Sequence, residues 1–270
     1  MLNTFSYVAP GSRKELLAVL KKEGANAKIM AGGTDLLVDM RAGKLKPALV
    51  VDLKKIADLK GVSFHAKDGL SIGAATTCIE LISNKTILEK YSLIADAAGR
   101  IGSPQLRNRA TIAGNLCSAS PCADLGCAML ALGASIEIVS STGTRVVKLA
   151  DFFTGVKTTV LKADELVTRL IVPAELAGAK SGMEKLKRIK GHDLALASVA
   201  MVKKGDLLRI ALGSCAPTPV VLPDLTAKTP LAAIIELAKK TIHPIDDVRA
   251  SKEYRTAMAM TFIERLLERM

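Results

Sequence analysis

Two stretches far apart in the chain combine side-chain-free backbone with hydrogen-bonding side chains. The first is Met30, Ala31, Gly32, Gly33, Thr34, Asp35, Leu36 and Leu37, read after the apolar run AKIM. Adjacent glycines between a strand and a helix let a ligand approach the backbone, where free N–H groups and the positive end of a helix dipole converge. That is anion-binding chemistry, and phosphate or pyrophosphate is its usual form. The spacing is not G-x-G-x-x-G, so the loop does not carry the fingerprint of a doubly wound dinucleotide domain. Asp35 would repel a pyrophosphate unless it turns to cap the helix. By itself, a glycine pair is more often just a tight turn.

The second stretch is Thr111, Ile112, Ala113, Gly114 and Asn115, with Asp124 nine residues beyond. Small residues here allow close approach of a flat or phosphorylated ligand. Asn115 can use both faces of its amide, and Asp124 can accept from sugar-like hydroxyls. Two glycine loops far apart in sequence suit an extended dinucleotide, which must be gripped at several points. Cys117, Cys122 and Cys127 are separated by four residues each, and Cys78 or Cys215 can make up a fourth ligand. A tight C-x-x-C is absent, however, and buried thiols are the simpler reading. His65, His192 and His243 have no metal-ligand spacing, so no metal site is expected.

The elements that must position these residues alternate at first. TFSYVAP reads as a strand, and Ser12 with Glu15 has capping-box spacing before a helix that Gly24 closes. AKIM is a strand, 34–40 a helix capped by Thr34 and ended by Gly43, and ALVVDL a buried strand. Residues 61–74 read as a hairpin turning at Asp68 and Gly69. Residues 79–101 read as helix and 102–124 as a long functional loop. An apolar segment (125–133), a hairpin turning at Gly143, a helix at 150–156 and a strand ending at Pro173 follow. Residues 174–182 are the linker candidate. Beyond them come the basic group Lys185, Lys187, Arg188 and Lys190, a hairpin at Gly205 and Asp206, a Pro-rich loop (216–223), and helices at 229–240 and 246–269. A three-stranded sheet with helices closes this last part most simply.

Composition limits the function classes. The chain has 270 residues, 49% apolar and 24% charged, enough for a sizeable core and about two domains. A net charge of +12 favours anionic ligands or acidic partners, but the basic residues are scattered. Aromatics are only 3% with no Trp, which argues against stacking readers of nucleic acid. No secretory signal is visible, and the longest uncharged apolar stretch, 125–136, falls short of the roughly 20 residues of a spanning helix. Five cysteines without a signal point to a reducing compartment, so a cytoplasmic protein is expected.

IMAGGTDLL taken with GSPQLRNRATIAGNLCSASPCADL resembles the flavin-binding subunit of the molybdenum hydroxylases, the family of xanthine, aerobic carbon monoxide and nicotinate dehydrogenases. FSYVAP, DELVTRLIVP and MEKLKRIKGHDLALA resemble the family's pattern in the right order, so the likeness covers most of the chain. It implies an α+β fold: a two-subdomain FAD-binding domain of the vanillyl-alcohol oxidase and p-cresol methylhydroxylase type over 1–175, then a small domain over 180–270 with a three-stranded antiparallel sheet and helices. It further implies that 30–37 wrap the pyrophosphate of FAD, that 111–115 lie along the flavin, and that Asp124 bonds ribityl or ribose hydroxyls. Val167 falls where an apolar residue meets adenine or flavin. Lys185 and Arg188 fall in the basic segment that reaches the flavin side, which is one residue longer here than the family's usual spacing. Two other positions depart from the pattern: Ala113 replaces a glycine, and Ile101 stands where NAD-reducing relatives present an aromatic.

The resemblance also implies an electron-transfer role. The flavin N5 is then the reactive centre, with no catalytic side chain, and FAD is bound non-covalently. Molybdopterin and [2Fe-2S] clusters belong to a large and a small partner subunit, in a dimer of heterotrimers. A freestanding flavin-dependent alcohol oxidase would need a general base near the flavin, for which no convincing His or Tyr appears. A non-catalytic nucleotide-binding regulatory protein is the other alternative.

Overall fold

Alternating strand and helix in the first fifty residues produces a parallel sheet, because each crossover is long enough to hold a helix. In the computed structural model, which describes residues 2–223 and 225–270, β1 (Ser6–Val8), α1 (Arg13–Glu23), β2 (Ala27–Met30), α2 (Leu36–Arg41) and β3 (Leu49–Asp52) follow in turn. The strand order is β1-β3-β2. The Ser12 hydroxyl accepts from the Glu15 N–H at 3.2 Å, and Gly24 at φ +51° ends α1. Leu16 and Leu20 then pack on Val51, Leu53, Ile56 and Leu59. α2 begins later than its sequence suggests: Gly33 at φ +76° turns the chain, Thr34 stays outside, and Asp35 takes the N-cap position without a side-chain cap bond.

An antiparallel sheet follows, ordered β4-β5-β10-β6-β7. Its first hairpin joins β4 (Val62–His65) to β5 (Gly69–Gly73). His65 pairs with Gly69 across a three-residue loop, longer than an Asp68-Gly69 turn would make it. β6 (Ser135–Ser140) and β7 (Gly143–Lys148) form the second hairpin. β8 (Phe153–Gly155) and β9 (Thr158–Thr159) form a small ribbon outside the sheet, and β10 (Leu166–Val172) is central. The helix expected at 150–156 is thus a 3-10 turn (Leu149–Asp151) and a strand, as β-branched residues beside Gly155 favour.

Between β5 and β6 the chain is helical. The expected helix 79–101 is three: α3 (Cys78–Ser83), α4 (Lys85–Lys90) and α5 (Ser92–Gly99). Asn84 leaves α3 and caps α4, its side-chain oxygen accepting from the Ile87 N–H at 3.1 Å, and Tyr91 breaks the next junction at φ −143°. The expected loop 102–124 holds α6 (Pro104–Arg107) and α7 (Ile112–Cys117), capped by Ser103 and Thr111. α8 (Asp124–Ala131) is buried along its whole length.

The last sheet is β11 (Lys180–Leu186), β12 (Ala197–Lys204), β13 (Leu207–Gly213) and β14 (Val220–Val221), all antiparallel. It has four strands, where three were expected, because Val220 and Val221 of the Pro-rich loop pair with Leu212 and Ala211. α9 (Leu231–Thr241) and α10 (Lys252–Glu268) cover one face through Ile234, Ala259, Phe262 and Ile263. The other face meets α8, with Met183, Ala200, Val202 and Ala211 joining the main core. The linker candidate is largely structured, as a 3-10 turn (Ala174–Leu176) and the start of β11. Among the described residues no helix is long and apolar enough to cross a membrane.

Candidate functional site

The glycine loop leaves the carboxyl end of β2 and meets the segment before α7. A Cβ at Gly32 would fall 2.0 Å from the Arg109 carbonyl oxygen, so only glycine lets the two backbones touch. Among the described residues, nothing accepts from the N–H groups of Gly32, Gly33, Thr34 and Asp35. Four consecutive donors are thus unspent and partly open to solvent, the inventory that a backbone anion site requires. Beside it lies a cleft of about 330 Å³, lined by Ala31, Gly32, Leu53 and Lys54 on one side and by Thr77, Asn108, Arg109 and Thr111 on the other.

Lys54 at the cleft is already paired. Asp52, 1% exposed, accepts from the Tyr7 hydroxyl at 2.6 Å, the Lys54 N–H at 2.9 Å and the Lys54 ammonium at 2.5 Å. Burial works to raise the Asp52 carboxyl, but the hydrogen bonds from Lys54 and Tyr7 hold it below the usual carboxylate range.

The second stretch works differently from the first. It starts α7, and its donors are spent: Ile112 N–H goes to Thr76 O at 3.0 Å, Ala113 N–H to Ala74 O at 3.2 Å, and Gly114 N–H to the Thr111 hydroxyl at 3.2 Å. A ligand there meets small side chains and Asn115, with no amide cradle to receive it. The Asn115 Oδ1 is buried and has no donor.

Asp124, the first residue of α8, resembles Asn115 in this respect. Its Oδ2 accepts from the Lys185 ammonium at 2.7 Å, and its Oδ1 is buried without a partner. The two side chains are 7% and 4% exposed. Burial pushes the Asp124 carboxyl up, and it outweighs the lowering by Lys185, Arg100 and Lys187. Ile101 follows α5 and is buried, and its carbonyl accepts from Arg107 at 2.9 Å.

Two expected residues lie elsewhere. Val167 is buried in the main core on β10, which packs against α7, so it is not on the cleft surface. Arg188 pairs with Asp193 at 3.0 Å in the exposed turn after β11. Burial pushes the thiols of Cys78, Cys117, Cys127 and Cys215 up to about 12, which keeps them protonated. Thr77, Asn108 and Arg109 line the cleft and were not anticipated. Only Thr77 carried a signal, the T-x-x-E spacing to Glu80, which forms a full capping box.

The unmatched groups define what fits. Free donors at 32–35 call for an anion, and lone acceptors on Asn115 and Asp124 call for hydroxyls. A dinucleotide with a pyrophosphate and a polyol arm has both, and FAD is such a molecule.

Comparisons with known proteins agree in kind. Residues 3–175 match the family described as FAD binding domain in molybdopterin dehydrogenase, and 183–270 match the CO dehydrogenase flavoprotein C-terminal domain. The carbon monoxide dehydrogenase medium chain of Hydrogenophaga pseudoflava is 34% identical over 276 residues, covering 97% of this chain and 96% of that one. A xanthine dehydrogenase FAD-binding subunit of Escherichia coli O157:H7 is 30% identical, covering 92% and 90%. Among solved structures, reconstituted CO dehydrogenase from Oligotropha carboxidovorans superposes with a TM-score of 0.93 at 32% identity, covering 100% and 98%.

Proposed function

The chain belongs to the family of FAD-binding subunits of molybdenum hydroxylases, and we propose that it holds FAD non-covalently between the glycine loop and the α7–α8 pair. The observation that carries this reading is the match of unspent groups: four amides for a pyrophosphate, two buried oxygens for hydroxyls. Gly32, Gly33, Thr34 and Asp35 donate to phosphate oxygens, while Met30, Ala31, Leu36 and Leu37 shape the loop around them. Asn115 and Asp124 accept from the polyol arm. Thr111, Ile112, Ala113 and Gly114 offer a flat, small surface, and Ile101 an apolar wall. Bound FAD supplies reversible one- and two-electron redox chemistry.

The chain then serves as an electron-transfer component. Electrons would come from [2Fe-2S] clusters of a small partner, and the substrate would be oxidised at a molybdopterin centre of a large one; the relatives' own names, a dehydrogenase medium chain and a dehydrogenase FAD-binding subunit, support a chain that works within a larger enzyme. A dimer of heterotrimers in the cytoplasm is the assembly we infer, with 1–175 as the flavin-binding part and 180–270 as the C-terminal part. Purified chain mixed with FAD and desalted should keep the visible absorption bands of a flavoprotein and copurify with the two partners when coexpressed. A colourless product after reconstitution would overturn the reading. Turnover of simple alcohols by the isolated flavoprotein would instead favour a freestanding oxidase.

A further inference from the structure

Five of the large apolar side chains that the fold leaves exposed stand on two loops and a helix start: Ile189 and Leu194 in the turn after β11, Ile245 and Val248 before α10, and Tyr254 in its first turn. Ile245 is 63% exposed and Val248 fully so. Neither loop is slack. Asp247 accepts from the Arg249 N–H at 2.8 Å, from the Arg249 guanidinium at 2.6 and 3.0 Å, and from the Arg255 guanidinium at 2.9 Å. Arg255 is 1% exposed and donates also to the Leu196 carbonyl at 2.6 Å, so it pins one loop to the segment that follows the other. Asp193 closes the turn by accepting from both the N–H and the guanidinium of Arg188. Apolar side chains held in water on a braced backbone are arranged for contact, because little ordering entropy remains to be lost on binding.

The loop before α10 also adjoins the candidate flavin site. The His243 N–H donates to the Cys215 carbonyl at 2.8 Å, and the neighbouring Ser214 N–H donates at 2.8 Å to the carbonyl of Pro121, three residues before Asp124. Charge gives the sign of what fits there. Asp193 and Asp247 are spent on arginines, Asp246 accepts from the Lys252 N–H at 2.8 Å, and Glu253 lies 3.8 Å from the Lys252 ammonium. Lys187 donates to the carbonyls of Lys190 and Gly191, and among the described residues neither it nor the exposed Lys190 has an acidic partner. Resting on the assembly reading, we propose that Ile245, Val248 and Tyr254, with the turn around Lys190, form the surface that docks the small electron-donating partner. That partner must approach the flavin, whereas the large one need not, and it must present an apolar hollow with an acidic rim.

Full-length chain loaded with FAD and titrated with the purified [2Fe-2S] chain tests this. V248D and I245D change exposed side chains, so each variant should keep the wild-type melting temperature and flavin content. Each should bind the [2Fe-2S] chain about tenfold or more weakly, the loss typical of an apolar anchor. K190E should also weaken binding, and less so at high salt. Flavin reduction by a subsaturating amount of the reduced [2Fe-2S] chain should slow in parallel, while reduction by dithionite keeps the wild-type rate. Variants that bind the [2Fe-2S] chain as tightly as the wild type, or that lose only the large chain from a coexpressed complex, would overturn the proposal. So would loss of FAD from V248D and I245D, which would make the loop part of the cofactor's own enclosure. Tighter binding by K190E would overturn the acidic rim. Wild-type chain that holds FAD but binds no [2Fe-2S] chain would remove the assembly reading itself, and this inference with it.

Discussion

Gly32 is the residue on which the site's geometry turns. Its hypothetical Cβ sits 2.0 Å from a backbone oxygen, and backbone cannot move aside as a flexible side chain can. Gly32→Ala should therefore push the loop off Arg109, destabilise the chain by about 1–3 kcal/mol as overpacking does, and abolish tight FAD binding. Thermal unfolding and flavin retention after desalting measure both, and a variant that keeps wild-type colour would contradict the role. Glu137 gives a pH dependence with a definite sign. Burial works to raise its carboxyl, but the Thr168 hydroxyl at 2.7 Å and the Arg169 guanidinium hold it below its ordinary value of 4.5. A depressed carboxyl contributes stability that is fully present above the unfolded value and is lost as pH falls through the folded one. Glu137→Gln should thus flatten the fall of melting temperature below pH 4.5, and an acid limb as steep as the wild type's would count against the assignment.

Among the elements, α7 shows how a helix can look like a loop. Six residues with Gly and Asn among them are too few to show a helical period, yet carbonyls of Thr76 and Ala74 hold its first amides and the Thr111 hydroxyl caps it. Thr111→Ala should cost about 1 kcal/mol and weaken FAD binding by fraying that first turn, whereas Thr111→Ser should do neither. Equal loss in both variants would show that the methyl group, and not the cap, matters. What was legible beforehand was local: the glycine pair, whose residue type alone permits close approach, the α1 cap, the Gly205-Asp206 hairpin, and the family pattern. What was not legible depended on partners distant in sequence. Lys185 reads as part of a basic group on the flavin side, with no sign of its pairing to Asp124, and two valines among prolines become β14 only because β13 offers them an edge. The breaks at Asn84 and Tyr91 interrupt an apolar pattern that otherwise runs on as one helix.

At the scale of the molecule, α8 decides how the parts stand together. All eight of its residues are buried, with α5 and α7 on one side and β12, β13 and β14 on the other. A helix apolar all round is stable only when covered all round. The matched family regions, 3–175 and 183–270, thus share a core helix although they are separate in sequence. A chain cut after residue 175 would expose the face of α8 that Ala200, Val202 and Ala211 now cover, and would also lose Lys185 from Asp124. The full chain should unfold in a single calorimetric transition. The 1–175 fragment should aggregate or bind a dye for exposed apolar surface, and should bind FAD more weakly than the full chain. A soluble fragment with the full chain's melting temperature and FAD affinity would mean that the C-terminal sheet is a passenger. The arrangement of α8 predicts instead that the flavin site exists only while that sheet is in place.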